Sequence, residues 1–177
     1  MAYILSVVGT VLLCTPSLLK GKNMRLILLL VFLSNVCIGS SYLLSGAVNG
    51  VVSCAVGAVQ SIVNYFFDRK NKPLPIWLIV VYALAFAAVN IAVFSQFADV
   101  FSLLACMAFV LCIAQKNGKN FRIWTLANAA LWLTYDIVSL SFAPIITHAF
   151  QVCVVLFGML IHDRKRKSVE EQYKKSA

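Results

Sequence analysis

Polar residues punctuate this chain between long apolar runs. Seven runs stand out, at 2–19, 26–44, 47–67, 74–94, 97–115, 121–140 and 142–162. Each approaches the roughly 20 residues a helix needs to cross the hydrocarbon layer of a bilayer. A transmembrane barrel would instead alternate apolar and polar positions over segments of about ten residues. The unbroken runs predict an all-α integral membrane protein with seven transmembrane helices. Composition agrees, since 62% of the residues are hydrophobic and only 12% charged, against roughly 25% charged in a soluble domain. The first run has no positive residue ahead of it and its charges follow it. It therefore reads as a spanning helix and not as a cleavable leader.

The basic residues orient the bundle. Lys20, Lys22 and Arg25 follow the first run, and Arg69, Lys70 and Lys72 follow the third. Lys116, Lys119 and Arg122 surround the turn between the fifth and sixth runs. Arg164 to Lys167 follow the seventh, with Lys174 and Lys175 beyond them. With seven crossings, all fifteen basic residues fall on one side. The other side carries Asp99 and the short joins at Ser45-Gly46 and Ser139-Leu140-Ser141. Positive loops stay cytoplasmic, so the N-terminus is expected outside and the C-terminus inside. One span more or fewer would scatter the clusters over both faces. The net charge of +9 is then a topology signal, aided by anionic lipid. No nucleic-acid partner is expected, because the charge is divided among short juxtamembrane clusters with no soluble domain to present it.

The landmarks between the runs repeat. Gly21-Lys22-Asn23-Met24-Arg25 returns 97 residues later as Gly118-Lys119-Asn120-Phe121-Arg122. Asp68-Arg69-Lys70-Asn71-Lys72 returns 95 residues later as Asp163-Arg164-Lys165-Arg166-Lys167. Asn35 and Tyr42 stand seven apart, as do Asn128 and Tyr135. Self-similarity at a nearly constant offset points to duplication. The copies cover 2–67 and 97–162, three helices each. An odd-numbered unit cannot follow itself in the same orientation. The span at 74–94 supplies the missing crossing, and Pro73 and Pro75 suit its start because their absent N–H is not needed there. The plan is 3+1+3, with parallel repeats. Residues 1–72 form the first bundle, 73–95 the linker helix, 96–167 the second bundle and 168–177 a basic cytoplasmic tail.

The stretch Trp132-Leu133-Thr134-Tyr135-Asp136 leading to Ser141-Phe142-Ala143-Pro144, with Leu44-Ser45-Gly46-Ala47-Val48-Asn49-Gly50 in the first half, resembles the YgjV-type bacterial inner-membrane proteins. The similarity spans most of the chain and implies a place in the bacterial inner membrane more than an activity. At one remove, the 3+1+3 plan is similar to the SWEET and PQ-loop transporters and the PnuC-type nicotinamide riboside transporters. The SWEET comparison implies a hinge proline toward the cytoplasmic end of each copy's first helix. Thr15-Pro16 fills that place in the first copy. The second has Cys112-Ile113-Ala114 there, and no Pro-Gln pair occurs anywhere. The chain thus departs from the pattern that implies symmetric rocking and a sugar cargo.

Few polar groups lie inside the runs, and they carry the candidate chemistry. Positions three, four and seven apart share a helix face. Asn128, Trp132 and Tyr135 form one stripe, with Asn35, Gly39 and Tyr42 as its counterpart. His148 and Gln151 share a face of the last helix, Gln60 and Asn64 a face of the third, and Asn90 lies on the linker span. Amides and aromatic rings converging from both copies would hold a small neutral or zwitterionic solute. The competing reading is that amides bind helices together in lipid, at about 0.6 kcal/mol per bond. Tyr42 and Tyr135 lie near the outer boundary, where aromatic anchoring is common, and Trp132 lies deeper. Asp136 is the acid expected within a span, where a carboxylate is costly and usually functional. Its place near the outer end of its helix also allows a solvated side chain. His148 is its candidate partner in a proton couple, although a neutral His bonded to a backbone carbonyl fits as well.

The six cysteines all fall inside apolar runs without paired two-residue spacing, and read as small buried hydrophobes. No metal or cofactor is expected, since His148 and Gln151 have no further ligand at suitable spacing. Phosphate-binding glycine loops, paired metal-ligand motifs and nucleophile elbows are absent. The last span has no Lys for a retinal Schiff base. Gly46 and Gly50, followed by Gly57, give the third helix a small-residue edge for close contact within the bundle or in a homo-oligomer. The function these features favour is transport, facilitative or secondary, of a small polar metabolite, with Asn35, Asn128, Trp132, Tyr135, Asp136, His148 and Gln151 as its contacts. The alternative is a sensor or assembly protein acting through the tail at 163–177. A membrane enzyme is the third reading. Cysteine-accessibility labelling is expected to place Ser45 and Ser141 outside and Lys70 and Lys119 inside. Lys70 and Lys119 on opposite faces would refute the seven-span topology.

Overall fold

The computed structural model describes residues 1–19, 23–45, 48–140 and 142–176, with side chains described within 1–19, 23–44, 51–140 and 145–162. Gly46, Ala47 and Ser141 lie outside the described residues, as do the side chains of Ser45, of residues 48–50 and of the tail. The described chain forms seven α-helices and no strand. They are α1 (Ala2–Leu18), α2 (Met24–Ser45), α3 (Val48–Arg69), α4 (Ile76–Ala92), α5 (Asp99–Ile113), α6 (Gly118–Val138) and α7 (Phe142–Ser176).

Each helix matches one apolar run, but not always its full length. Segments Met24–Leu44, Val51–Arg69 and Ile145–His162 are long and apolar enough to cross a membrane. α1 and α4 have 17 residues and α5 has 15, or about 22–26 Å at 1.5 Å per residue. The fifth run, expected over 97–115, is trimmed because polar side chains organise both ends. Asp99 Oδ2 accepts bonds from the Ser95 and Gln96 backbone N–H groups at 2.7 and 2.8 Å, fixing the turn before α5. Beyond its other end, the Asn117 side chain caps α6 by accepting from Asn120 N at 2.8 Å. α4 starts after Pro75, as the proline pattern requires.

In lipid, helices gain little from hiding apolar side chains, so close contact and hydrogen bonds must join them. α2 packs against both α1 and α3, and α6 against both α5 and α7. α4 lies against α3 and α5, and α1 touches α7. Ser34 Oγ donates to Gly9 O at 2.8 Å and Ser41 Oγ to Ala2 O at 2.9 Å, tying α2 to α1. One apolar cluster joins Ile27, Leu28 and Val31 to Cys112, Ile113 and Phe121. A second joins Leu78, Tyr82 and Phe86 to Cys106 and Val110. Large apolar side chains such as Leu43, Trp77, Leu84, Ile146 and Phe157 face outward, as a lipid-facing surface requires.

Two details correct the sequence expectations. Arg122, counted among the turn charges, is buried one turn into α6 and donates from Nη1 to Leu19 O at 3.2 Å. His162 Nε2 donates to Leu18 O at 2.7 Å. Together they occupy the last carbonyls of α1, which lack partners within their own helix. Cys153, read as a buried hydrophobe, is exposed, whereas Cys14, Cys106 and Cys112 are buried, and all six are free thiols. Cys153 lies on the outward side of α7, where an apolar group is equally suited to face lipid.

α1 and α7 approach so closely that a Cβ on Gly158 would lie on the Ser17 carbonyl oxygen. Glycine to alanine usually favours a helix by about 1 kcal/mol. At Gly158 the sign is expected to reverse, with Gly158→Ala lowering stability by about 1–3 kcal/mol through overpacking. Thermal unfolding of the purified protein in detergent reads that sign.

Candidate functional site

The polar residues near the C-terminal end of α6 meet those near the start of α7. Asp136 is 2% exposed, so the solvated position allowed by the sequence is not the one it takes. His148 donates from Nδ1 to Asp136 Oδ2 at 2.5 Å, and its side chain remains 19% exposed. One face of the imidazole stacks on Trp132, with ring centroids 5.8 Å apart and planes 12° from parallel. Tyr135 meets the Trp132 ring edge-on at 5.6 Å. The helical spacing explains this grouping. Trp132, Tyr135 and Asp136 occupy positions i, i+3 and i+4 and so share one face of α6, the face turned toward α7. Ser139 Oγ donates to Tyr135 O at 2.8 Å and finishes the last turn.

Elements outside α6 and α7 reach the same cluster. Tyr42 on α2 lies within electrostatic range of Asp136 and near Tyr135. Tyr135 approaches the Gln96 side chain and the Asp99 carboxylate, so the turn before α5 borders the cluster. Tyr42 belonged to the repeated landmarks, but no sequence spacing placed it beside Asp136. Gln96 lies between apolar runs and carried no signal beyond its polarity.

The remaining sequence candidates sit elsewhere. Gln151 is buried one turn along α7 from His148. Asn128 is buried and donates from Nδ2 to Ala105 O at 2.8 Å, joining α6 to α5. Asn35 donates to Val31 O of its own helix at 2.8 Å. Its Oδ1 lies against Gly57, where a Cβ would come within 2.7 Å of it. The two asparagines therefore serve different helix pairs, and each amide is engaged by a backbone carbonyl. Trp132 also packs against the Leu78–Val110 apolar cluster. It is a wall between the core and the polar pair, not an anchor facing lipid.

The site can hold a proton between two side chains and offers flat aromatic surface beside it. An imidazole in contact with a carboxylate is neutral as a pair when protonated and carries one negative charge when not. Among the described residues, no three His, Cys, Asp or Glu side chains gather as metal ligands. Asp136→Ala is expected to cost about 1–3 kcal/mol, because His148 loses its partner in a buried setting. His148→Ala is expected to cost a similar amount, and the double variant less than the sum, since both changes remove one contact. Full additivity in detergent unfolding would show that the pair is not coupled.

No curated protein and no solved structure matches the chain. The profile of the Imp-YgjV family, described as bacterial inner membrane protein, matches residues 1–166. That span takes in all of α1 to α6 and the part of α7 that bears His148 and Gln151. The chain therefore belongs to the YgjV family of bacterial inner membrane proteins.

Proposed function

We propose that the protein transports a small polar metabolite across the bacterial inner membrane, by a facilitative or secondary mechanism. In this reading the seven helices cross the bilayer in a 3+1+3 plan. The N-terminus is outside, the C-terminus is cytoplasmic, and the path runs between the two three-helix bundles. The observation that carries the proposal is the buried Asp136–His148 pair with Trp132 stacked on it. An ionisable pair within a membrane-spanning bundle is costly to keep, and such groups mark ion or substrate pathways.

The helix arrangement supports a duplicated plan. α2 is the middle helix of the first three and α6 of the second, and each packs on both its neighbours. α1 against α7 and α3 against α5 are the contacts that a two-fold exchange of the bundles would interchange. The two ends of the bundle also differ. Asp136 and Gln151 are closed off from solvent, while a cleft at the Lys-rich end is lined by Asn64, Asp68, Lys72 and Lys116. A carrier caught open to one side would show that asymmetry.

Mechanistically, His148 gains or loses a proton while Asp136 holds it in place. The pair's charge then changes by one unit, which lets a proton gradient bias the two orientations of the carrier. The Trp132 ring would supply a stacking face for a flat part of the solute. Uptake into proteoliposomes across a panel of polar metabolites, with and without an inward proton gradient, tests the proposal. Gradient-stimulated uptake is expected for wild type and is expected to be lost in Asp136→Asn. Trp132→Phe should keep folding and insertion while weakening uptake. A folded, reconstituted protein that moves no metabolite would refute transport.

A further inference from the structure

The cleft at the Lys-rich end has a chemistry that the Asp136–His148 site lacks. It opens among α2, α3 and α5 as a shallow depression of about 30 Å³. Met24, Leu28, Phe67 and Leu74 form its apolar wall, and Asn64 and Ile113 also line it. Asn64 is 4% exposed and donates from Nδ2 to Ile113 O at 3.0 Å. One turn deeper, Gln60 is fully buried and donates from Nε2 to Val110 O at 3.3 Å. Because both partners are carbonyls, each amide must turn its nitrogen toward α5. The other atom of each amide, Asn64 Oδ1 and Gln60 Oε1, is buried with no hydrogen-bond partner. A buried acceptor left without a donor is destabilising, so it calls for a partner. Two such acceptors occur on one face of α3, and one of them belongs to Asn64, which lines the cleft.

At the wall of the cleft, Asn64 thus offers an unpartnered acceptor. The cleft also lies at the C-terminal end of α5, the negative pole of that helix. Both features call for a donor carrying positive charge. The mouth has the opposite character. Lys72 and Lys116 line it, and neither has a carboxylate partner among the described residues. Asp68, which also lines it, is engaged by Arg25 at 3.4 Å. A bare cation would be repelled at the mouth, and an anion would meet an acceptor at that wall. A molecule with both charges meets both requirements.

We infer that this cleft is a subsite for a small zwitterion of the amino-acid type. Its ammonium is taken by Asn64 Oδ1, and its carboxylate faces Lys72 and Lys116. That volume suits the ammonium end alone, since one water needs about 10–15 Å³. The rest of the solute lies in the open mouth. The inference rests on the transport reading for its biological role and narrows the cargo of that reading. The binding itself is tested apart from transport.

The test uses the full chain in lipid nanodiscs, with thermal unfolding followed during titration by four probes. These are glycine, glycine methyl ester (ammonium only), N-acetylglycine (carboxylate only) and sodium chloride against choline chloride. Glycine is expected to raise the unfolding temperature. The two single-charge analogues should need at least about tenfold more ligand, the loss expected when one charge-assisted bond goes. Asn64→Leu should weaken glycine to a similar degree, and Asn64→Ser serves if the leucine variant does not fold. Lys72→Gln with Lys116→Gln should weaken glycine and leave the methyl ester unchanged. Sodium acting in place of glycine, equal affinity for all three organic probes, no response to glycine, or unchanged glycine binding in a folded Asn64 variant would each overturn the inference. Uptake of a non-zwitterionic solute without glycine binding would overturn this subsite and leave transport standing. Glycine binding without uptake of any metabolite would do the reverse.

Discussion

The helix interfaces of this protein depend on close packing and on polar contacts that lipid cannot replace. Apolar side chains lose nothing by staying in hydrocarbon, so burial alone does not tell one helix where to sit against another. The structure answers with side-chain donors aimed at backbone carbonyls of neighbouring helices. Ser34 and Ser41 reach α1, Asn128 reaches α5 from α6, and Gln60 and Asn64 reach α5 from α3. Arg122 and His162 occupy the end of α1 from α6 and α7. Backbone carbonyls have two lone pairs, so most of these bonds are added without breaking the helix that accepts them.

The same constraint separates structural amides from functional ones. An amide whose nitrogen and oxygen are both occupied is glue. Asn90 is of this kind, since it donates to Phe86 O and accepts from Ser102 Oγ at 2.7 Å. Gln60 and Asn64 are half-used, with nitrogen engaged and oxygen unpartnered. The Asp136–His148 pair is different again, because its members satisfy each other and not the backbone. Its stack on Trp132 holds the imidazole plane while leaving part of the ring exposed. Structural polarity and candidate chemistry are thus told apart by where the second hydrogen bond goes.

The all-helical class, the count of seven elements and the membrane setting were legible in the pattern of runs. The physical cause is direct. Hydrocarbon tolerates few charges and demands internally bonded backbone, so length and composition nearly dictate the element. The start of α4 after Pro75 and the grouping of Trp132, Tyr135 and Asp136 on one face also follow from local rules. So does the nomination of His148 as the partner of Asp136, since both lie near the same end of adjacent helices.

Tertiary structure decided what local rules could not. The sequence treated Arg122 as one more charge beside a turn. Only the approach of α1 turned it into a buried group bonded to Leu19. Asn35 and Asn128 look equivalent in the repeat, yet one bonds within its helix and the other across to α5, because their neighbours differ. The reach of Tyr42 toward Asp136 depends on how α2 packs against the rest of the bundle, a relation between residues nearly a hundred positions apart. The chain by itself determined the helices, because the solvent selects them residue by residue. Which side chains meet was left to the packing, because in lipid that choice depends on shape and on pairing of polar atoms between helices, neither of which is written in any single segment.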